Sequence, residues 1–232
     1  MPDSRDVYRH HPEDYDALVR CEDRDGNLLK ALRELVPLGG KDGGELGAGT
    51  GRLTLLVAPH VRTIRAFDAA PAMLAVARRH LEQRGLANCT TSVADNAALP
   101  LTDACADVAL AGWTYGHQTV WDEDGWRQPI ERALREMLRV LKPGGPAIVI
   151  ETLGTGHATP FEPPTQLARY YALLEEEWGF ARRWIRTDYE FPTLAEGERL
   201  VRFFFGEERA GRFAADASTT LPECTGIWWR PR

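Results

Sequence analysis

The densest chemistry in the chain is the turn Glu45-Leu-Gly-Ala-Gly-Thr-Gly, in which glycine returns at positions 47, 49 and 51. Glycine at that spacing lets the backbone take positive φ or approach another molecule more closely than any Cβ permits. Ahead of a helix, such a turn offers N–H groups to an anionic or polar ligand. Asp68 lies one strand further on, where a carboxylate can accept hydrogen bonds from both hydroxyls of a ribose. His117 sits in Gly112-Trp-Thr-Tyr-Gly-His-Gln. A neutral imidazole with an ordinary pKa of about 6.5 suits proton removal at cellular pH, so His117 is the candidate base, with Trp113 and Tyr115 as walls. His157, in Gly154-Thr-Gly-His, is a weaker candidate on the same face.

Positioning these residues takes alternating strands and helices. Val61 to Phe67, Cys89 to Val93, Ala106 to Ala111 and Ala147 to Thr152 read as strands, the last two as buried runs. Pro71 opens a helix carrying Met73, Leu74, Ala77 and Leu81, and Gly85 ends it. Ile130, Ala133, Leu134, Met137, Leu138 and Leu141 mark an amphipathic helix stopped by Lys142-Pro-Gly-Gly. Residues 13–35 read as one or two helices, 165–178 and 194–205 as helices, 184–191 as a strand, and 226–229 as a last apolar run. This alternation predicts βαβ units and a mostly parallel sheet covered on both faces. In such sheets ligands bind beyond the carboxyl ends of the strands. That is where the glycine turn, Asp68 and the 112–118 segment fall. The dinucleotide pattern G-x-G-x-x-G needs glycine at position 52, which is Arg52, so a nicotinamide oxidoreductase is the disfavoured alternative.

Composition bounds the partners. The 232 residues carry 34 acidic and 28 basic side chains, a net charge of −6, and 44% are apolar. A disordered chain is excluded, and one domain is the expectation. Nucleic acid is disfavoured as a partner, although Arg182, Arg183 and Arg186 could form a local patch. Cys21, Cys89, Cys105 and Cys224 lie far apart, with no C-x-x-C pair, so free thiols and no metal are expected. The charged start Met1-Pro-Asp-Ser-Arg-Asp and the lack of a long apolar run predict a cytoplasmic protein without a membrane span. Trp178, Trp184, Phe203, Phe204, Phe205, Trp228 and Trp229 are read as packing residues.

Glu45-Leu-Gly-Ala-Gly-Thr-Gly resembles the first signature, E/D-x-G-x-G-x-G, of class I S-adenosylmethionine-dependent methyltransferases of the small-molecule, type 11/25-like kind. Phe67-Asp-Ala-Ala-Pro-Ala-Met-Leu looks like the second signature, Ala94-Asp-Asn-Ala-Ala-Leu-Pro-Leu the third, and Leu138-Arg-Val-Leu-Lys-Pro-Gly-Gly the RxLKPGG element. Together they cover about residues 40–152. The resemblance implies a Rossmann-like α/β fold: a seven-stranded, mostly parallel sheet with helices on both faces and an antiparallel last strand. It implies one domain over 1–232, with an N-terminal helical lid (1–36), a cofactor-binding half (40–152) and a C-terminal half (153–232) that contributes to the substrate pocket.

The cofactor implied is S-adenosyl-L-methionine, with S-adenosyl-L-homocysteine as product, the acceptor is a small molecule, and the protein a monomer or homodimer. By the same resemblance Gly47, Ala48, Gly49 and Gly51 wrap the methionine part with Glu45 near its ammonium. Asp68, beside Ala69, holds the ribose, and Met73 packs on the adenine. Asp95 accepts from the adenine amino group, unless it only forms a turn, and Asn96 can add an amide contact. Ala111 to Trp113 close the methionine side. Tyr8, Tyr15, Trp113, Tyr115, His117 and His157 face the acceptor, Tyr8 and Tyr15 from the lid, which also carries His10 and His11. Gly43 and Gly44 depart from the family pattern and predict a short or irregular first strand. A methyltransferase-like module that binds the cofactor without transferring methyl groups is the other alternative.

Overall fold

The computed structural model describes residues 4–232; the first three residues of the expected lid lie outside that range. Nine strands are present among the described residues: β1 (Asp42–Leu46), β2 (Thr63–Asp68), β3 (Cys89–Val93), β4 (Val108–Gly112), β5 (Pro146–Thr155), β6 (Ala181–Arg186), β7 (Tyr189–Glu190), β8 (Thr220–Leu221) and β9 (Glu223–Pro231). Seven of them form one sheet in the order β3-β2-β1-β4-β5-β9-β6. β1, β2, β3, β4 and β5 pair in parallel, whereas β9 runs antiparallel between β5 and β6. The strand order reverses between β1 and β4, which opens a crevice at their carboxyl ends.

Ten α-helices accompany the strands among the described residues: α1 (Ser4–His10), α2 (Pro12–Val19), α3 (Asn27–Leu35), α4 (Arg52–Val57), α5 (Pro71–Gln83), α6 (Gln118–Trp121), α7 (Arg127–Val140), α8 (Thr165–Ala172), α9 (Leu194–Phe205) and α10 (Glu207–Ala215). Strand periodicity sorts the core between the two faces. Ala109 and Ala111 of β4 point to the side packed by Ile130, Leu134 and Met137 of α7 and by Tyr170 of α8. Val108 and Leu110 point to the other side, against Leu28 and Leu32 of α3 and Leu53 and Val57 of α4. A satellite cluster joins Leu18 of α2, Leu200 and Val201 of α9, Phe213 of α10 and Tyr189 and Leu221 of the small β7-β8 ribbon. This cluster holds α2 over the crevice.

Several elements differ from the sequence reading. Gly43 and Gly44 do not disturb β1, which is five residues long and pairs with β2 without a break. A Cβ at either glycine would meet only ordinary packing contacts, the nearer being Ile64 at 3.4 Å, so the strand tolerates them inside a buried ladder. The segment expected as one strand over 184–191 divides into β6 and β7 because β9 pairs only as far as Arg186. The helix expected over 165–178 ends as α8 at Ala172 and widens into a π-turn, Leu173–Glu177. α10 was not foreseen. Of the seven aromatics read as packing residues, Trp228 is fully buried but Trp184 is 46% exposed on the outer strand β6. Arg182, Arg183 and Arg186 pair with Glu175, Glu34 and Asp188 and so present no open basic patch. No helix among the described residues is long and apolar enough to cross a membrane.

Candidate active site

A cavity of about 680 Å³ opens at the switch between β1 and β4. Its floor is the turn from β1 into α4, where Gly47, Gly49 and Gly51 have φ of 71°, 56° and 87°. Glycine is demanded most strictly at position 47, where a Cβ would sit 2.4 Å from the Thr114 side chain. Thr114 Oγ1 lies in turn within 3.0 to 3.3 Å of the carbonyls of Leu46, Gly47 and Gly112, and its hydroxyl clamps the turn to the end of β4.

Asp68, the last residue of β2, holds the same turn from the other side. Its Oδ2 accepts from the Gly49 N–H at 2.8 Å and its Oδ1 from the Ala70 N–H at 2.8 Å. Burial raises its pKa, and those two donors work against the rise. Each carboxylate oxygen keeps a further lone pair for a bound hydroxyl. Two residues lining the cavity, Asn96 and Thr50, each carry a buried side-chain oxygen without a hydrogen-bond partner. Such groups are uncommon in finished interiors and suit a ligand that completes them.

Glu45 is buried beneath the turn and accepts from Thr54 Oγ1 at 2.5 Å. Burial pushes its pKa up to about 8. Glu151 is pushed up to about 7 and Glu223 to about 8, again chiefly by burial. An ordinary glutamate titrates near about 4.3 in an unfolded chain, so between there and pH 8 the folded protein holds protons that the unfolded chain has released. This stabilising contribution is complete below about 4.3 and is lost as pH rises through 7 and 8. The thermal midpoint is therefore expected to be lower at pH 8.5 than at pH 7, with the difference reduced in Glu223→Gln; calorimetric scans at the two values check it, and an unchanged or rising midpoint contradicts it.

The remaining wall is aromatic. Trp113 takes φ 51°, a conformation that costs a non-glycine residue roughly 1–3 kcal/mol. It is held by an N–H bond of 2.6 Å to Ile150 O and by the Arg52 guanidinium 3.4 Å above its ring. Arg52 also pairs with buried Glu22. From above, α1 and α2 bring Arg5, Tyr8, Arg9, Tyr15 and Val19 to the cavity. The α2 helix is moored by His80–Asp16 at 2.8 Å, by Arg79–Glu13 at 2.7 Å to α5, and by Arg199–Asp14 at 2.8 Å to α9. Tyr8 Oη lies 3.0 Å from His117 Nε2, and the His117 ring stacks on Trp121 at 6.0 Å.

The structure thus gathers Glu45, Gly47, Ala48, Gly49, Asp68, Ala69, Met73, Asp95, Asn96, Trp113, His117, Tyr8 and Tyr15 around one cavity. Four other candidates stand away from its lining. Gly51 packs on Ala77 of α5, where a Cβ would come within 3.0 Å, so helix packing accounts for it. Ala111 points into the α7 side of the core. Tyr115 is fully buried in that core. His157 is carried past the rim because β5 continues to Thr155, and it stacks on Phe161 at 4.1 Å. Asp95 both lines the cavity and makes a turn, accepting from the Ala97 N–H at 2.8 Å. The expected imidazole near 6.5 needs correction, since burial lowers the pKa of His117 to about 4. His10 and His11 do not line the cavity; His11 packs on Phe203. Thr114, Arg52 and Glu151 were missed; only Arg52, adjoining the glycine turn, carried a signal in the sequence.

Residues 45–145 match a family model described as a methyltransferase domain. That match takes in the glycine turn, Asp68 and the loop that follows β4. A ubiquinone/menaquinone biosynthesis C-methyltransferase, UbiE, of Xylella fastidiosa strain M12 is 37% identical over 142 residues, 60% of this chain and 52% of that protein. The chain spans about half the length of the curated relatives it matches. In fold, the chain resembles a SAM-dependent methyltransferase from Aquifex aeolicus, with TM-score 0.56 and 17% identity over 99% of this chain and 93% of that one. It also resembles the [4+2]-cyclase SpnF, with TM-score 0.60 and 22% identity over 89% of this chain and 80% of that one.

Proposed function

We propose that the protein transfers a methyl group from S-adenosylmethionine to a small, ring-bearing acceptor. The observation that carries this reading is Asp68, whose carboxylate is fixed by two backbone N–H groups on the floor of the cavity with acceptor capacity to spare for a ribose diol. Asn96 Oδ1, buried and unpartnered, suits the adenine amino group, and Asp95 keeps one oxygen beyond its turn. Met73 closes on Gly49 and would pack against the adenine. Glu45 would face the ammonium. When bound, the cofactor supplies an electrophilic methyl on a sulfonium, open to in-line displacement.

The chain's own work is to position and to exclude water. The lid helices cover the acceptor side with Tyr8 and Tyr15, and Trp113 and Trp121 complete an apolar wall. Near-attack alignment of this kind contributes roughly 7–11 kcal/mol in favourable systems. The cavity volume must serve both reactants, which limits the acceptor to a small molecule. The aromatic wall supports a flat ring, and the quinone methylation named for the UbiE relative fits the same chemistry. The free state of all four cysteines supports a reducing, cytoplasmic setting, in which we place a single-domain monomer or homodimer.

His117, with its pKa lowered to about 4, is neutral at cellular pH. It accepts from or donates to the Tyr8 hydroxyl and so holds that group toward the acceptor. His117→Ala is expected to lower turnover about 100-fold, within the span of a lost proton-handling group, with cofactor affinity little changed. The wild-type rate should show no inflection from this imidazole between pH 6 and 9. An undiminished rate in His117→Ala removes the role, and an inflection near pH 6.5 that the variant lacks restores the ordinary imidazole. Transfer of label from methyl-labelled S-adenosylmethionine to a panel of phenols, amines and carboxylates tests the whole reading, and binding without transfer to any acceptor counts against it. The likeness to a [4+2]-cyclase favours a second reading, in which the same pocket serves without methyl transfer.

A further inference from the structure

We propose that Glu151, on β5, is a positioning residue that sets the shape of the cavity wall from beneath without touching bound molecules. Its carboxylate lies under the loop that follows β4. Glu151 Oε1 is 3.0 Å from the Tyr115 N–H, 3.0 Å from the Gly116 N–H and 3.3 Å from Tyr170 Oη, all donors. Two successive backbone donors therefore converge on one buried carboxyl group, the arrangement of a nest. A Cβ on Gly116 would stand 3.0 Å from Glu151 Oε2, so the glycine at that position is what admits the carboxylate.

The loop held in this way carries the site at both ends. Trp113 and His117 flank residues 114–116 and line the cavity. Thr114 stands between them and clamps the Gly47 turn through its hydroxyl. Glu151 thus reaches the cavity floor through Thr114 and the aromatic wall through Trp113 and His117. No other carboxylate bonds to these two amides among the described residues.

The groups facing Glu151 are phenols. Tyr170 and Tyr171 approach from α8, Tyr115 from the loop and Tyr8 from α1, and each has its own ionisation opposed by the carboxylate. β9 places uncharged Gly226 opposite it in the sheet. Burial among these groups pushes the pKa of Glu151 up to about 7. The neutral acid still accepts through its carbonyl oxygen, but the anion accepts about twice as strongly. Because burial disfavours the charge by more than these bonds offset, the folded loop loses stability as pH rises through neutrality.

Hydrogen exchange on the ligand-free protein tests this directly, as site-resolved protection factors for the Tyr115 and Gly116 amides between pH 6 and 8.5. In the wild type, protection is expected to fall severalfold across that range. Glu151→Gln, a neutral isostere, should stay at the low-pH level throughout, and its affinity for S-adenosylhomocysteine should lose the pH dependence of the wild type. Flat wild-type protection overturns the proposal, as does protection in Glu151→Gln that falls like the wild type. If the variant does not fold, the wild-type series alone decides. Only the affinity measurement rests on the methyltransferase reading: a wild type that does not bind S-adenosylhomocysteine sinks that reading while leaving the exchange result to judge Glu151.

Discussion

Asp68→Ala is expected to weaken binding of S-adenosylhomocysteine about 100-fold or more, roughly 3 kcal/mol. The loss has two sources. A ribose diol would lose its charged acceptor, and a hydrogen bond to a charged group is worth about 1.5–3 kcal/mol. The Gly49 and Ala70 amides would also be left without a partner on the cavity floor, so the glycine turn would no longer be pinned to the end of β2. Asp68→Asn separates the two sources, because its amide oxygen can replace only one of the two backbone contacts. Titration calorimetry on the three proteins gives the comparison. Equal affinity in wild type and Asp68→Ala removes the ribose assignment.

Gly47→Ala is the second large effect. At φ 71° the position costs a residue with a Cβ about 1–2 kcal/mol, and the added methyl would overlap Thr114 at 2.4 Å. Neither the turn nor the end of β4 can yield without breaking the Thr114 clamp. The variant is expected to lose several degrees of thermal stability and at least tenfold in affinity for S-adenosylhomocysteine. Thr114→Gly in the same chain removes the overlapping atoms and should restore part of the stability but not the affinity, since the clamp goes with them. Gly47→Ala binding and melting like the wild type contradicts the close approach.

The sheet was legible because its signals are local. Pro71 and Gly85 bracket α5, Lys142-Pro-Gly-Gly closes α7, and the run Cys89–Val93 is the strand itself. The glycine turn and Asp68 were legible because a close backbone approach and a strand-terminal carboxylate each leave a residue-type signature. Glu151 left none. In sequence it is one acid ending a buried strand run, and its role appears only when β5 brings it under the amides of residues 115 and 116. His117 was found by type but misjudged in character, because a pKa depends on what buries the ring, and Tyr8 arrives from a distant helix. His157 failed for the opposite reason. The length of β5 is set by its pairing with β9, which no local pattern records.

A crystal structure of the protein with S-adenosylhomocysteine bears most directly on the cavity. The adenosyl group is expected in the cavity against Met73, its ribose hydroxyls on Asp68 and its amino group toward Asn96. An adenosyl group bound elsewhere, or a cavity that stays empty at saturating nucleoside while Asp68 remains turned only to Gly49 and Ala70, would contradict it.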